Sequence, residues 1–99
     1  MKSEWQIQMD FGKAMEAVNR LNRIAGDIDN NAGNLGNTMN SINNCWDGEN
    51  SENYLAKGRK IQSNISKTAS GVRKVAAAIE RIAITTRDAE LAAIRIAGD

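Results

Sequence analysis

Residues 43–51 read Asn43-Asn44-Cys45-Trp46-Asp47-Gly48-Glu49-Asn50-Ser51, and this stretch divides a regular hydrophobic rhythm into two halves. Gly48 lacks a Cβ and can take the left-handed backbone that a chain reversal needs. Asp47, Asn50 or Ser51 offers an oxygen to cap a helix that follows. A link this short between two long helices makes them antiparallel neighbours.

Toward the N-terminus the apolar or small residues are Phe11, Ala14, Val18, Leu21, Ala25, Ile28, Ala32, Leu35, Met39, Ile42 and Trp46, in alternating steps of three and four. Toward the C-terminus the same alternation links Gly58, Ile61, Ile65, Thr68, Val72, Val75, Ile79, Ile82, Thr86, Ala89, Ala93 and Ile96. A period near 3.5 keeps each set on one helix face and suits left-handed coiled-coil packing. Strand alternation fits neither half. The pattern predicts one hairpin domain over residues 1–99, with a first helix over about 4–44, a turn at 45–50 and a second helix over about 51–97. Ser3 and Gln6 have capping-box spacing, which marks the first helix's start.

Composition supports helix. The chain has no proline, the residue that costs roughly 3 kcal/mol inside a helix. Its four aromatic residues are Trp5, Phe11, Trp46 and Tyr54, too few for a β-sandwich core. The first helix carries a weakness: Gly26, Gly33 and Gly36 each cost about 1 kcal/mol against alanine, and residues 30–44 are rich in asparagine. Packing on the second helix or on a partner must compensate.

An isolated hairpin of two long helices leaves much apolar surface in water. Ala69, Ala76, Ala78, Ala83 and Ala92 flank the second stripe and widen its apolar face, so another helix can approach closely. The expected fold is therefore all-α: an antiparallel helical hairpin that pairs into a four-helix-bundle dimer. Its hairpin and dimer interfaces are expected to use Phe11, Val18, Leu21, Ile28, Leu35, Met39 and Ile42 on the first helix. The second helix is expected to contribute Ile65, Val72, Val75, Ile79 and Ile82.

Net charge is +1, which gives no strong attraction to nucleic acid or to an anionic bilayer. Residues 1–50 hold four basic against seven acidic side chains and residues 51–99 nine against five, so an acidic half faces a basic one. No apolar run approaches the roughly 20 residues of a membrane span. Met1–Asp10 has no apolar core of a secretory leader, so export, if it occurs, is expected by a leaderless route.

Catalytic chemistry has little to work with. There is no histidine, and Cys45 is the lone cysteine, without a partner for a nucleophile pair, a metal site or an internal disulfide. Its expected role is a small core hydrophobe beside Trp46. Gly33 and Gly36 lie within a helical stripe, not in a phosphate loop after a strand. Lys57, Arg59, Lys60, Arg73 and Lys74 read as a solvated helix surface. No catalytic, cofactor or metal residues are assigned, and the chain is not expected to be an enzyme.

Trp46-Asp47-Gly48 thus stands near the midpoint of 99 residues, between two heptad-patterned helices, with Tyr54-Leu55 soon after. At these residues the sequence resembles the WXG family of small type VII (Esx-type) secretion substrates. The resemblance covers the whole chain in length and layout, although only the tripeptide is a sequence motif. It implies a non-enzymatic substrate made in the bacterial cytoplasm and secreted without a leader. It also implies that the protein works with the type VII machinery as a homodimer, or as a heterodimer with another small WXG-type or helical effector domain.

Trp46 and Gly48 are the positions that carry the family's motif. The family's export signal, Tyr-x-x-x-Asp/Glu after the second helix, is degenerate here: the nearest register is Thr86-Arg87-Asp88-Ala89-Glu90, with threonine in the tyrosine's place. Two readings follow. A partner supplies the signal in trans, or Thr86 and Glu90 belong to a member recognised differently. An alternative role is targeting partner or chaperone for a larger effector or toxin. Membrane action by the second helix and nucleic-acid binding rank below these, because heptad regularity fits protein packing better.

Overall fold

The computed structural model describes residues 2–45 and 48–98, with the backbone alone at 49 and 50. The chain is an all-α helical hairpin of two helices, α1 over Glu4–Cys45 and α2 over Glu49–Gly98. The described residues contain no strand.

Both helix starts follow from local chemistry. The Gln6 amide donates to Ser3 Oγ at 3.1 Å, and the Ser3 amide donates to Gln6 Oε1 at 3.2 Å, so two backbone donors at the α1 terminus are satisfied reciprocally. Glu4 adds a negative charge in the first turn, where the helix dipole favours it. Before α2, Gly48 adopts φ of 87°, the left-handed conformation that favours glycine, and its carbonyl accepts from the Glu52 amide at 3.3 Å. Because α2 begins at Glu49, Gly48 occupies the cap position and Ser51 lies inside the first turn, where its hydroxyl is buried. Ser51 is therefore not the capping residue its position in the sequence suggests. Asp47 lies outside the described residues.

The chain divides into two compact units. Unit 1 combines Met1–Asn22 with Arg73–Asp99, and unit 2 is Arg23–Val72. In unit 1 the buried seam contains Ile7 and Val18 of α1 and Ala76 of α2, with Phe11, Ala14, Leu21, Ile79 and Ala83 half-buried beside them. In unit 2 the seam contains Ala25, Ala32 and Met39 of α1 and Ala69 of α2. There α1 and α2 approach closely. A Cβ on Gly58 would collide with the Met39 side chain, and one on Gly36 would stand 2.9 Å from Gln62 Nε2. That amide instead donates to the Ala32 carbonyl at 3.0 Å, a cross-helix bond that Gly36 leaves room for.

The α1 row read from the sequence lies on the α2 side along its described length, and Ile7, four residues before Phe11, extends it. The α2 row divides. Gly58, Ile65, Val72 and Ile79 are half-buried, whereas Ile61, Val75 and Ile82 are exposed. The positions next to those three, Gln62, Ala76 and Ala83, turn toward α1 instead, as does Ala69 beside the exposed Thr68. Small side chains let helix axes approach, which selects the alanine row for the seam and leaves the larger residues outside.

Candidate functional site

Val75 and Ile82 are 53% and 65% exposed, and Ile96 is 77% exposed. All three lie on the α2 portion of unit 1, and Ala89 falls at the one heptad place between Ile82 and Ile96. Ala78, Thr85 and Ala92 interleave with them at steps of three and four, so a second apolar and small-residue row runs beside the seam. A shallow groove of about 220 Å³, lined by Arg81, Ile82, Thr85 and Thr86, indents this face. Lys74, Arg81, Asp88 and Arg95 border it at heptad spacing, giving a mostly basic edge. An exposed row of this kind on a helix whose other row is already packed is what a third helix needs. In unit 2, Ile61 is exposed on α2 and Ile24 on α1.

The remaining interface candidates fall on the hairpin seam. Val18 and Met39 are buried, while Phe11, Leu21, Ile28, Leu35, Ile42, Ile65, Val72 and Ile79 are half-buried. The seam residues that the hydrophobic pattern missed are Ile7, which its spacing from Phe11 could have revealed, Ala69, Ala76 and Ala83, which it placed on the flank, and Gln62, which no apolar signal marks.

At the corner, Gly48 takes the positive φ expected of it. Trp46, the other motif residue, lies outside the described residues. Cys45 is exposed and so is not a buried thiol. It ends α1 one place before the stripe position at 46 and therefore off the packed face. Among the described residues the buried Ser51 hydroxyl has no hydrogen-bond partner.

Thr86 and Glu90, which the sequence analysis compared with the family's export signal, both line a cleft of about 150 Å³ in unit 1. Ile7, Phe11, Ala14 and Ala83 make the cleft apolar, while Lys2, Asp10 and Arg87 supply charge. The Arg87 guanidinium lies 4.3 Å from the centre of the Phe11 ring, a cation–π contact that joins α2 to α1. Arg87 also pairs with Asp88 at 3.1 Å. Lys2 Nζ bridges Asp10 at 3.0 Å and Glu90 at 3.5 Å. The hydrogen bond to Asp10, helped by the negative charges of Asp10 and Glu90, raises the Lys2 ammonium above its ordinary value of 10.5. These pairs are solvent-exposed and define an end-to-end register more than they stabilise it.

Among the described residues, no group of three or more acidic, cysteine or histidine side chains is placed to hold a metal ion. Among the described residues, too, no helix is long and apolar enough to cross a membrane.

A helical hairpin with a glycine corner and an uncovered apolar row defines a small all-α interaction module. The chain belongs to the WXG100 family, proteins of 100 residues with WXG, whose model matches residues 6–91. Membership associates it with type VII secretion and with pairing, in a family of non-enzymatic secretion substrates. No curated protein and no solved structure matches the chain.

Proposed function

We propose that this protein is a type VII secretion substrate that works as a dimer of hairpins, made in the bacterial cytoplasm and exported without a leader. One observation carries the reading: the exposed row of Val75, Ile82 and Ile96 in unit 1. Fully burying a Val or Ile side chain is worth about 1.5–3 kcal/mol, so three such residues left in water are a substantial driving force for association. A second hairpin laid on this face completes a four-helix bundle, with Ala78, Thr85 and Ala92 allowing the close approach. Gly48, the described residue of the family's motif, turns the chain at the end of each hairpin.

A test couples assembly to export. In cells with an active type VII machine, the wild-type chain reaches the medium. Ile82→Asp, which puts a charge in the middle of the row, stays in the cell at unchanged expression. Retention of both proteins contradicts the export reading. Export of both contradicts the role given to the row.

The second reading, a targeting partner for a larger effector, is favoured by Thr86 standing where the family's signal has tyrosine. In this version the partner brings the aromatic signal and this chain brings the hairpin surface. Co-expression with neighbouring helical proteins separates the two. A mixed complex that replaces the homodimer supports the targeting role, and a homodimer that never exchanges argues against it.

A further inference from the structure

Past its first turn, the part of α2 in unit 2 carries charge of one sign only. Lys57, Arg59, Lys60 and Lys67 are exposed, and from Asn53 to Val72 the helix has no acidic side chain. The neighbouring helix supplies no counter-charge there, because α1 is uncharged from Asn30 to Cys45. None of the four cations is in an ion pair among the described residues. Unit 1 differs, since Lys2 and Arg87 each meet a carboxylate. The acidic half of the sequence therefore leaves this stretch of the basic half unbalanced.

The lysines are also placed together. With about 100° of turn per residue, Lys57, Lys60 and Lys67 fall with Ile61 inside an arc of about 120° of α2. Ile61 is itself exposed in the middle of them. Arg59 lies on the far side, about 160° round from Lys57. A helix surface that meets only water mixes signs and gains from opposite charges three or four residues apart. Lys57 and Lys60, three apart, repel instead. Relief of that repulsion and cover for Ile61 call for the same occupant, one with carboxylates around an apolar side chain.

Other occupants fit less well. A second copy laid with α2 on α2 sets lysine against lysine, and its α1 is uncharged over 30–45. A bilayer gains little from a face whose large apolar side chains are Tyr54 and Ile61, beside an α1 surface rich in amides. Nucleic acid would use the lysines and leave Ile61 idle. We propose that the α2 face of Lys57, Lys60, Ile61 and Lys67 docks an acidic peptide segment of a different protein, with carboxylates at helical spacing around an apolar residue. This contact uses other residues than the α2 row of unit 1 and does not depend on it.

Fluorescence anisotropy on the full chain tests the occupant. The probe is a labelled three-heptad peptide with leucine once per heptad, glutamates three and four residues from it, and alanine and glutamine elsewhere. Its control has glutamine for every glutamate. At low salt the acidic peptide is expected to bind at least tenfold more tightly than the control, and to weaken as salt is raised. Lys60→Glu and Lys67→Glu are each expected to weaken it at least fivefold with unchanged helical circular dichroism, and Ile61→Ser at least threefold. Arg59→Glu is expected to change it less than twofold. Ile82→Asp is expected to bind as the wild type does, which separates this contact from the dimer. A control that binds equally, an Arg59→Glu loss as large as that of Lys60→Glu, an unaffected Ile61→Ser protein, or loss with Ile82→Asp would each overturn the proposal. So would tighter binding, in the same buffer, of a single-stranded oligonucleotide or of vesicles with one-third phosphatidylglycerol.

Discussion

Units 1 and 2 pair the same two helices by different means. Unit 1 buries branched side chains, Ile7 and Val18, against Ala76, and adds a guanidinium over Phe11 and a lysine between two carboxylates. Unit 2 buries mainly alanine and one methionine, and brings the helices together through missing side chains at Gly36 and Gly58 and an amide-to-carbonyl bond from Gln62 to Ala32. In unit 1 stability comes from side-chain volume. In unit 2 it comes from proximity, along a segment of α1 whose glycines and asparagines are poor helix formers. A substitution should therefore act differently in the two units: loss of volume hurts unit 1, and added volume hurts unit 2.

The largest effect is expected from Val18→Ala, which removes two buried methyl groups from unit 1. Transfer and cavity costs together amount to about 2–3 kcal/mol, read from thermal unfolding at fixed protein concentration. Gly58→Leu tests the other side. Its side chain must displace Met39, and the overpacking cost of about 1–3 kcal/mol is offset in part by better helix propensity. A net loss of about 1–2 kcal/mol is expected, with faster amide exchange in unit 2 than in unit 1. If Gly58→Leu stabilises the chain, the close approach assigned to unit 2 is wrong.

Gly12→Ala in unit 1 should go the opposite way. A Cβ there meets nothing within 4 Å, so the helix gains up to about 1 kcal/mol from alanine. A rise in melting temperature is the expected result, and a fall would mean that Gly12 touches something the isolated hairpin does not contain. The smallest effect is the pH dependence of Lys2. Its folded pKa is raised, so its contribution is complete below the ordinary lysine value of 10.5 and fades as pH rises through the folded value. Loosening should show as faster exchange near residues 2–10 in strongly alkaline solution, and Lys2→Met should remove that dependence.

Much of this fold was readable before any coordinates. The Ser3–Gln6 cap, the glycine reversal at Gly48 and the α1 row follow from residue type and spacing, because each depends on neighbours a few positions away. The α2 row was harder. Three adjacent heptad rows of α2 are apolar or small, and hydropathy draws attention to the one with Ile61, Val75 and Ile82. Packing between two helices instead rewards the smallest, at Ala69, Ala76 and Ala83, a choice set by how closely α1 approaches. The Gln62–Ala32 bond depends on that same approach and has no local signature. At the corner, Gly48 takes the left-handed backbone that its residue type called for, whereas Cys45 falls on the solvent side because one residue of rotation moves it off the stripe.

The central claim is that the exposed α2 row is made to be covered by a second hairpin. Light scattering on the purified chain, repeated over a hundredfold range of concentration with reductant present, tests it most directly. The account predicts a helical particle of about twice 10.8 kDa that Ile82→Asp converts to a helical monomer. A wild-type chain that stays at 10.8 kDa across the range, fully helical and soluble, would contradict it.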